Sequence, residues 1–264
     1  MKAHVWNRPH FMVSSPMWRW TLLVLFLLYL GVAFSSIDLN FPRMLDGLTR
    51  GWRFVDGFLN PNFTSRWSDI QTGIIESLTM SVTATLVGIL FSIPIGMGAA
   101  SNISTKPFYF LCRFFITISR SMQEIIVAIF LVALFGFGAF AGFLTLTFAT
   151  IGFLGKLLAE EIENIDKAPL EALKATGASW LQMIHYSIVP QITPRVVGLW
   201  LYRFDINFRE SAVIGIVGAG GIGATLNTAI ERYEYDSAGA ILLMIIFIVF
   251  LCEYTSGYVR KWLI

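Results

Sequence analysis

Three glycines near residue 220 have the spacing of a dinucleotide-binding loop. The stretch VGAGGIG, residues 217–223, places Gly218, Gly220 and Gly223 in the pattern G-x-G-x-x-G. In nicotinamide enzymes this loop follows a strand, opens a helix and precedes an acidic residue by about 20 positions. Here an apolar run of helical length comes before the loop, and acidic residues begin already at Glu231. The sequence therefore predicts a tight turn or a close approach of helices, not a nucleotide site.

A second set of polar residues interrupts the apolar run itself, LWLYRFDINFRESAVIGIVG. On a helix, Arg203, Asn207 and Glu210 fall within about 60° of each other, and Asp205 and Arg209 share the opposite face. Because neither face suits lipid, we expect this helix to lie among other helices or beside water. Two interpretations stay open for each residue, an internal ion pair and a substrate path.

A preceding apolar segment carries Arg120 and Glu124, four positions apart. On one continuous helix these two side chains would stack on the same face. Arginines within membrane-length segments suit an anionic cargo, although acidic neighbours offer them internal partners. The candidate substrate path consists of Arg203, Asn207, Arg209, Glu210, Arg120 and Glu124.

The composition indicates which class of protein positions these residues. Of 264 residues, 56% are hydrophobic and 14% are charged, against about 25% charged in soluble domains. The mean hydropathy is +0.68, so we expect an all-α integral membrane protein. The net charge of +2 gives no indication of nucleic-acid binding. Cys112 and Cys252 lie in apolar runs and are expected to be free, buried thiols.

Six apolar segments approach the length of about 20 residues that a spanning helix needs. The first, 18–34, also has the basic flank of a signal peptide, but its length favours a retained helix. Gly136, Gly138 and Gly142 interrupt the long run 125–155 and predict a turn that joins spans three and four. The six predicted spans are 18–34, 74–100 with a bend at Pro94, a segment from residue 108, its successor after the turn, 192–217 and 238–259.

The distribution of Lys and Arg predicts the topology. Six spans place both termini on one side, which carries eleven of these residues against five on the other. Because cytoplasmic loops carry the excess, we expect both termini to be cytoplasmic. Residues 1–70 then form a transmembrane helix with an external loop at 37–70, and residues 71–264 form the core.

The cytoplasmic loop 163–190 has strong helix-boundary signals. Asp166 is expected to cap one short helix and Gly177 to end it. Ser179 and Gln182 form a capping box for a second helix, which Pro190 is expected to end. Such a loop is either an ordered connector or a docking surface for a cytoplasmic partner.

The loop sequence EALKATGASWLQMIHYSIVP resembles the EAA loop of ABC importer permeases, with Glu171, Ala172, Gly177 and Pro190 at matching positions. The segments RSMQE, AFAG, GKLLAE, LYRF, NFRESAVIGIVGAGGIG and RKWLI resemble the phosphonate importer permeases from about residue 75 to the end. This resemblance implies a type I ABC importer fold, like that of methionine importers. It also implies a homodimer in the bacterial inner membrane.

The resemblance further implies that a cytoplasmic ABC ATPase dimer binds ATP and Mg, and that a soluble external protein delivers a phosphonate, phosphite or phosphate. The chain has no G-x-x-x-x-G-K-[ST] loop, so no cofactor is expected in it and hydrolysis is assigned to the partner. Region 167–180 would be the coupling helix, with the coupling residues Glu171, Ala172, Lys174, Gly177 and Ala178. The external gate or binding-protein contact would be Gly218, Gly220, Gly221 and Gly223.

Two other classes of protein are alternatives to an importer subunit. A stand-alone secondary transporter or channel for small anions predicts no docking loop, and the sequence shows no convincing internal repeat. An intramembrane enzyme is disfavoured because His4, His10 and His185 lie outside the spans and no H-E-x-x-H metal motif occurs.

Overall fold

The computed structural model describes residues 15–36 and 41–263, and these residues form helices with no strand. The predicted all-α class is therefore confirmed. The helices are α1 Pro16–Ser35, α2 Phe41–Leu59, α3 Trp67–Gly98, α4 Lys106–Ser121, α5 Glu124–Phe135, α6 Ala139–Glu163, α7 Lys167–Ala175, α8 Trp180–Met183, a π-helical turn Ile184–Ile188, α9 Val189–Ile216, α10 Gly221–Glu231 and α11 Tyr235–Leu263.

The chain divides into two compact units, residues 1–52 and 53–264. The first contains α1 and the beginning of α2, and the second contains the rest of the chain. This division falls earlier than the boundary predicted after residue 70. The region 37–70, predicted to be an external loop, contains the 19-residue helix α2. Apolar residues recur at every third or fourth position of that helix, and it is not among the segments apolar enough to span a membrane.

Five segments of the described chain are long and apolar enough to cross a membrane. A sixth is present if α4 and α5, which meet at an angle of 93°, form one broken span. The predicted number of six spans is reached when this bent pair crosses the membrane as one span. The five continuous segments are Met17–Ser35, Trp67–Gly98, Ala139–Glu163, Trp180–Glu231 and Tyr235–Val259.

The break between α4 and α5 contradicts the expected stacking of Arg120 and Glu124. Met122 and Gln123 have extended backbone angles, with ψ values of 128° and 138°, so the helix that contains Arg120 ends before Glu124. The Gln123 carbonyl then accepts from the amides at the start of α5. The two side chains therefore lie on different helices.

The turn predicted in the third apolar region is confirmed. Gly136 and Gly138 have φ angles of +88° and +134°, in the region that glycine adopts without steric cost. Gly142, in contrast, lies inside α6, where it allows the carbonyl of Ala219 to approach closely.

Close packing of α3 on α6 forms the centre of the bundle. A Cβ atom added to Gly96 would lie 2.8 Å from Leu158, so glycine permits this helix contact. Pro94 lies within α3, which continues to Gly98.

The prediction that Pro190 ends the helix after the capping box is wrong. The chain stays helical from Trp180 through a π-helical turn into α9, where Pro190 occupies the first turn. The π-helical turn directly before Pro190 changes the i→i−4 hydrogen-bond pattern at the position where proline has no amide hydrogen to donate.

Candidate functional site

A buried polar network joins four helices near the middle of the bundle. Asn207 on α9 is fully buried, and its Nδ2 donates to Thr85 Oγ1 on α3 and to Thr150 Oγ1 on α6, each over 2.9 Å. Arg203 donates through Nε to Thr150 over 3.1 Å and through Nη2 to Glu124 on α5 over 3.0 Å. Within the described residues Glu124 Oε2 is buried without a hydrogen-bond partner. Because an unpaired buried polar group is costly, the bonds that the network does form specify how the helices pack.

Arg203 is 3% exposed and is neutralised by Glu124 within the chain. Such a buried pair positions helices, and its cation has little access to solute. Glu124 remains 22% exposed, and the carboxyl group of Glu210 is next to it. The predicted common face of Arg203, Asn207 and Glu210 is thus the face that packs toward α5 and α6.

The predicted opposite face of α9 carries Asp205 and Arg209. Arg209 Nη2 donates to Asp205 Oδ2 over 2.8 Å. The Asp205 side chain is 9% exposed, whereas that of Arg209 is 54% exposed. Arg209 is thus accessible in the single chain, which is compatible with the expected position of α9 among other helices or beside water. This guanidinium has one carboxylate partner and accessible donors.

Arg120 is a further cation with an accessible side chain. It is exposed, and no carboxylate lies within salt-bridge distance of it in the described part of the chain. Its Cζ atom is 5.6 Å from the centre of the Phe153 ring, and that of Arg203 is 5.1 Å from the same centre. Phe153 thus connects Arg120 to the network by cation–π contacts.

The structure brings together five of the six predicted path residues. Arg203, Asn207, Glu124 and Glu210 lie in one cluster, and Arg120 contacts this cluster by way of the Phe153 ring. Arg209 lies on the same helix but pairs separately with Asp205. Sequence reasoning missed Thr85, Thr150 and Phe153. Threonine and phenylalanine are common in membrane helices, so nothing in one sequence distinguishes these positions.

The glycine loop forms a tight structure at the far end of α9. Gly218, Gly220 and Gly221 have positive φ angles between +72° and +92°. Gly223 approaches α9 so closely that an added Cβ would lie 2.9 Å from the Cα of Gly215. The tight turn and the close helix approach predicted from the sequence are both present.

Two side chains from α3 cap the first amides of α10 beside this loop. The Gly221 amide donates to Glu76 Oε2 over 2.8 Å, and the Ile222 amide donates to Ser77 Oγ over 2.9 Å. Negative charge at a helix N-terminus is stabilising. Sequence reasoning missed Glu76, although a signal existed, since it is the one acidic residue between positions 70 and 100.

The candidate docking surface, which the sequence predicts to be cytoplasmic, lies on α7 and the turn after it. Asp166 caps the helix by accepting from the Ala168 amide over 3.0 Å, as predicted. Gly177 ends it with φ +77°, and the amides of Gly177 and Ala178 bond back to Lys174 and Leu173. These paired bonds form a Schellman motif. The predicted capping box between Ser179 and Gln182 is also present.

The coupling candidates occupy the outer face of this element. Leu170 is buried against the bundle, while Glu171, Ala172, Lys174 and Gly177 are exposed and Ala178 is half-buried. Two contacts fix the element, one from Trp180 Nε1 to the Ile103 carbonyl and one from the Asp166 amide to Gln191 Oε1. The loop is therefore attached to the rest of the bundle at two points.

Among residues 15–36 and 41–263, no group of three His, Cys, Asp or Glu side chains is arranged to hold a metal ion.

Comparison with known proteins identifies similar sequences. The model of a family described as "Binding-protein-dependent transport system inner membrane component" matches residues 92–263. A phosphite transport system permease protein of Stutzerimonas stutzeri is 37% identical over 84% of this chain and 81% of its own length. A phosphate-import permease protein of Mycolicibacterium smegmatis is 40% identical over 77% of this chain. The matched region is 38% of that relative's length.

Solved structures match the fold. The inward-facing MetNI methionine ABC transporter aligns with a TM-score of 0.61 and 19% identity, covering 86% of this chain and all of that one. A chain of an amino acid ABC transporter aligns with a TM-score of 0.60 and 18% identity over 85% of this chain. These likenesses show the expected type I ABC importer permease fold.

Proposed function

Because the chain belongs to the family of binding-protein-dependent transport system inner membrane components, we propose that it forms the membrane path of an ATP-driven importer for a phosphorus oxyanion. The cargo class is a phosphonate, phosphite or phosphate. The observation that carries this proposal is the similarity along most of both chains to a permease named for phosphite transport. The exposed guanidinium groups of Arg120 and Arg209 within the predicted spans support an anionic cargo.

The polar cluster divides into supporting and contacting residues. Arg203 and Asn207 are buried and satisfied within the chain, so their role is to hold α3, α5, α6 and α9 in register. Arg209 and Arg120 keep accessible donors and would contact the anion as it passes. Glu124 and Glu210 border this path and limit the local positive charge, which favours release over tight retention.

The coupling step is assigned to α7 and the turn after it. In the working complex, two copies of the chain sit on a cytoplasmic ATPase dimer, which binds ATP and Mg. The surface formed by Glu171, Ala172, Lys174, Gly177 and Ala178 contacts the ATPase. ATP-driven closure of that dimer moves the two surfaces together, and the spans rock as rigid bodies between inward-open and outward-open states.

The glycine loop at the other end of α9 belongs to the external mouth of the path. A soluble external binding protein would release its ligand there. Gly218, Gly220, Gly221 and Gly223 allow the loop to pack tightly on α3 and on the turn before α6, so motion of α3 relative to α9 changes this mouth directly.

The test is reconstitution of the chain with its ATPase and binding protein in liposomes. We expect ATP-dependent uptake of radiolabelled phosphite, phosphate or a methylphosphonate, and none of methionine or sulfate. Omitting the binding protein should abolish uptake. Uptake that proceeds without ATP would identify a stand-alone transporter, and uptake of methionine alone would refute the cargo class.

A further inference from the structure

Helix α2, Phe41–Leu59, has one continuous apolar face that the chain leaves exposed. At about 100° per residue, six large apolar residues fall on one side of this helix and charged residues fall on the other. The exposed fractions of Leu48 and Trp52 are 70% and 71%. The six residues, which we call the α2 apolar face, are Met44, Leu45, Leu48, Trp52, Val55 and Leu59. An exposed patch of this kind marks an interaction surface.

The opposite side of α2, near its C-terminal end, is fixed to the start of α11. Phe54 packs edge-on against Tyr235, with ring centres 5.8 Å apart. Gly57 and Phe58 approach the backbone of Tyr235 and Gly239 so closely that side-chain atoms added to Gly57 or Gly239 would clash. Because a candidate membrane span begins at Tyr235, this contact holds residues 54–58 near the level where a span enters the membrane.

The connection that follows α2 is fixed at the same level. The Asn62 amide donates to the Asp236 carbonyl over 3.1 Å. Arg66, directly before the span of α3, donates to Glu234 over 2.5 Å, and this hydrogen bond lowers the pKa of Glu234. The residues between α2 and α3 are thus attached to the turn between α10 and α11.

The composition of α2 fits a lipid surface. The sequence of α2 contains Arg43, Arg50 and Arg53 against Asp46 and Asp56, and this net positive charge suits the phosphates of lipid headgroups. Trp52 lies in the centre of the apolar face, and tryptophan is enriched where membrane meets water. A helix with one polar and one strongly apolar face lies in the plane of the interface, with its apolar side about 5–10 Å deep.

We propose that α2 is an interfacial helix whose apolar face is inserted at the boundary between headgroups and acyl chains. This helix ties the α10–α11 turn to the lipid surface, through Phe54, Gly57 and Phe58. The occupant of the apolar face is lipid, and neither a second copy of the chain nor the external binding protein covers it.

The test is a spin-label scan of α2 in the full complex, in nanodiscs of phosphatidylethanolamine and phosphatidylglycerol. Cys112 and Cys252, both free, are first replaced by alanine, and uptake by this background is verified. Single nitroxide labels are placed at Leu48, Trp52 and Val55. Matched control labels on the polar side replace Asp46 and Arg53. Collision with oxygen, which partitions into lipid, is compared with collision with a water-soluble nickel chelate.

We expect the oxygen-to-nickel collision ratio to be several-fold higher at all three apolar positions than at the two controls, with or without the liganded binding protein. Nickel access at Leu48 and Trp52 equal to that at the controls would overturn the proposal, because the face would then be in water. Exclusion of both reagents would also overturn it, since protein would then cover the face. A distance below about 20 Å between the Leu48 labels of two copies would identify a second copy as that cover.

Discussion

Arg203 and Glu124 form an ion pair, with 3.0 Å between Nη2 and Oε1, that connects the middle of α9 to the first residue of α5. Glu124 directly follows the break at which the chain turns by 93°. The pair therefore fixes where the broken span meets α9. Since Arg203 also donates to Thr150, which bonds to Asn207, one cation supports contacts among α5, α6 and α9.

We expect Arg203→Gln to destabilise the permease severely. Removing one partner of a buried ion pair leaves an uncompensated charge and costs about 3–5 kcal/mol. Arg195→Gln on the same helix is the matched control, because Arg195 is 69% exposed and pairs with Glu161 at the surface. Surface pairs contribute about 0–1 kcal/mol. The measurement is the fraction of detergent-solubilised complex that stays monodisperse after heating. Equal survival of the two variants would show that the Arg203 pair does not hold the helices.

We expect exchange of Asp205 and Arg209 to separate packing from transport. The two residues are four positions apart and pair over 2.8 Å, so Asp205→Arg with Arg209→Asp restores an ion pair and allows assembly. The cation then moves to the buried position, and the exposed position presents a carboxylate to the anion. Loss of one contact to a charged group costs about 1.5–3 kcal/mol, which corresponds to a roughly tenfold or greater loss of uptake.

Assembly in that experiment is judged by copurification with the ATPase, and uptake is expressed per assembled complex. The single variant Arg209→Gln should likewise assemble but transport poorly. Full uptake by the exchanged chain would assign Arg209 to packing alone.

The sequence predicted the features that depend on local chemistry. Asp166, Gly177 and the Ser179–Gln182 box occupy the expected cap positions because caps involve neighbouring residues only. The turn at Gly136 and Gly138 follows from conformations that glycine adopts easily.

The predictions that were wrong concern contacts between residues far apart in the sequence, or local sequence signals that compete with one another. The break after Ser121 separates Arg120 from Glu124, and no glycine or proline marks it. Glu124 pairs with Arg203, which lies 79 positions away in the sequence. Because this contact exists only in the folded bundle, the break is stabilised there and not by its neighbouring residues. Pro190 was expected to stop a helix, but the π-helical turn before it lets the chain enter α9 with proline in the first turn.

We expect substitutions of Gly177 to separate backbone strain from docking. A Cβ atom at this position meets nothing within 4 Å, but φ is +77°, so any ordinary residue costs about 1–2 kcal/mol. Gly177→Ala adds this strain without bulk, and Gly177→Trp adds bulk on the outward surface. The alanine variant should retain most ATPase stimulation by the binding protein, and the tryptophan variant should lose it while still inserting in the membrane. Normal stimulation in both variants would contradict a docking role.

We expect alkaline phosphatase fusions to report both ends of α11. A fusion after Tyr233, in the turn before this span, should be active in a bacterial host, because the predicted topology places this turn outside. A fusion after Ile264 should be inactive, since the excess of Lys and Arg predicts a cytoplasmic C-terminus. The opposite pattern would invert the topology, and activity at both sites would show that α11 does not span. Immunoblots of the fusions control for expression.

Glu76 should set the opening of the external mouth through its bond to the Gly221 amide. Glu76→Gln keeps an oxygen acceptor at the same distance but removes the charge that favours the N-terminus of α10, an effect of about 0.3–1 kcal/mol. Glu76→Ala removes the acceptor and leaves a partly buried amide unpaired, which costs about 1–3 kcal/mol. We therefore expect the alanine variant, and to a smaller degree the glutamine variant, to loosen the glycine loop and raise ATPase activity without binding protein.

Thr79→Ala is the control on the same helix, because the exposed Thr79 hydroxyl donates to the Ile75 carbonyl in its own helix. Basal ATPase activity of Glu76→Ala equal to that of Thr79→Ala would mean that the loop packs correctly without this carboxylate.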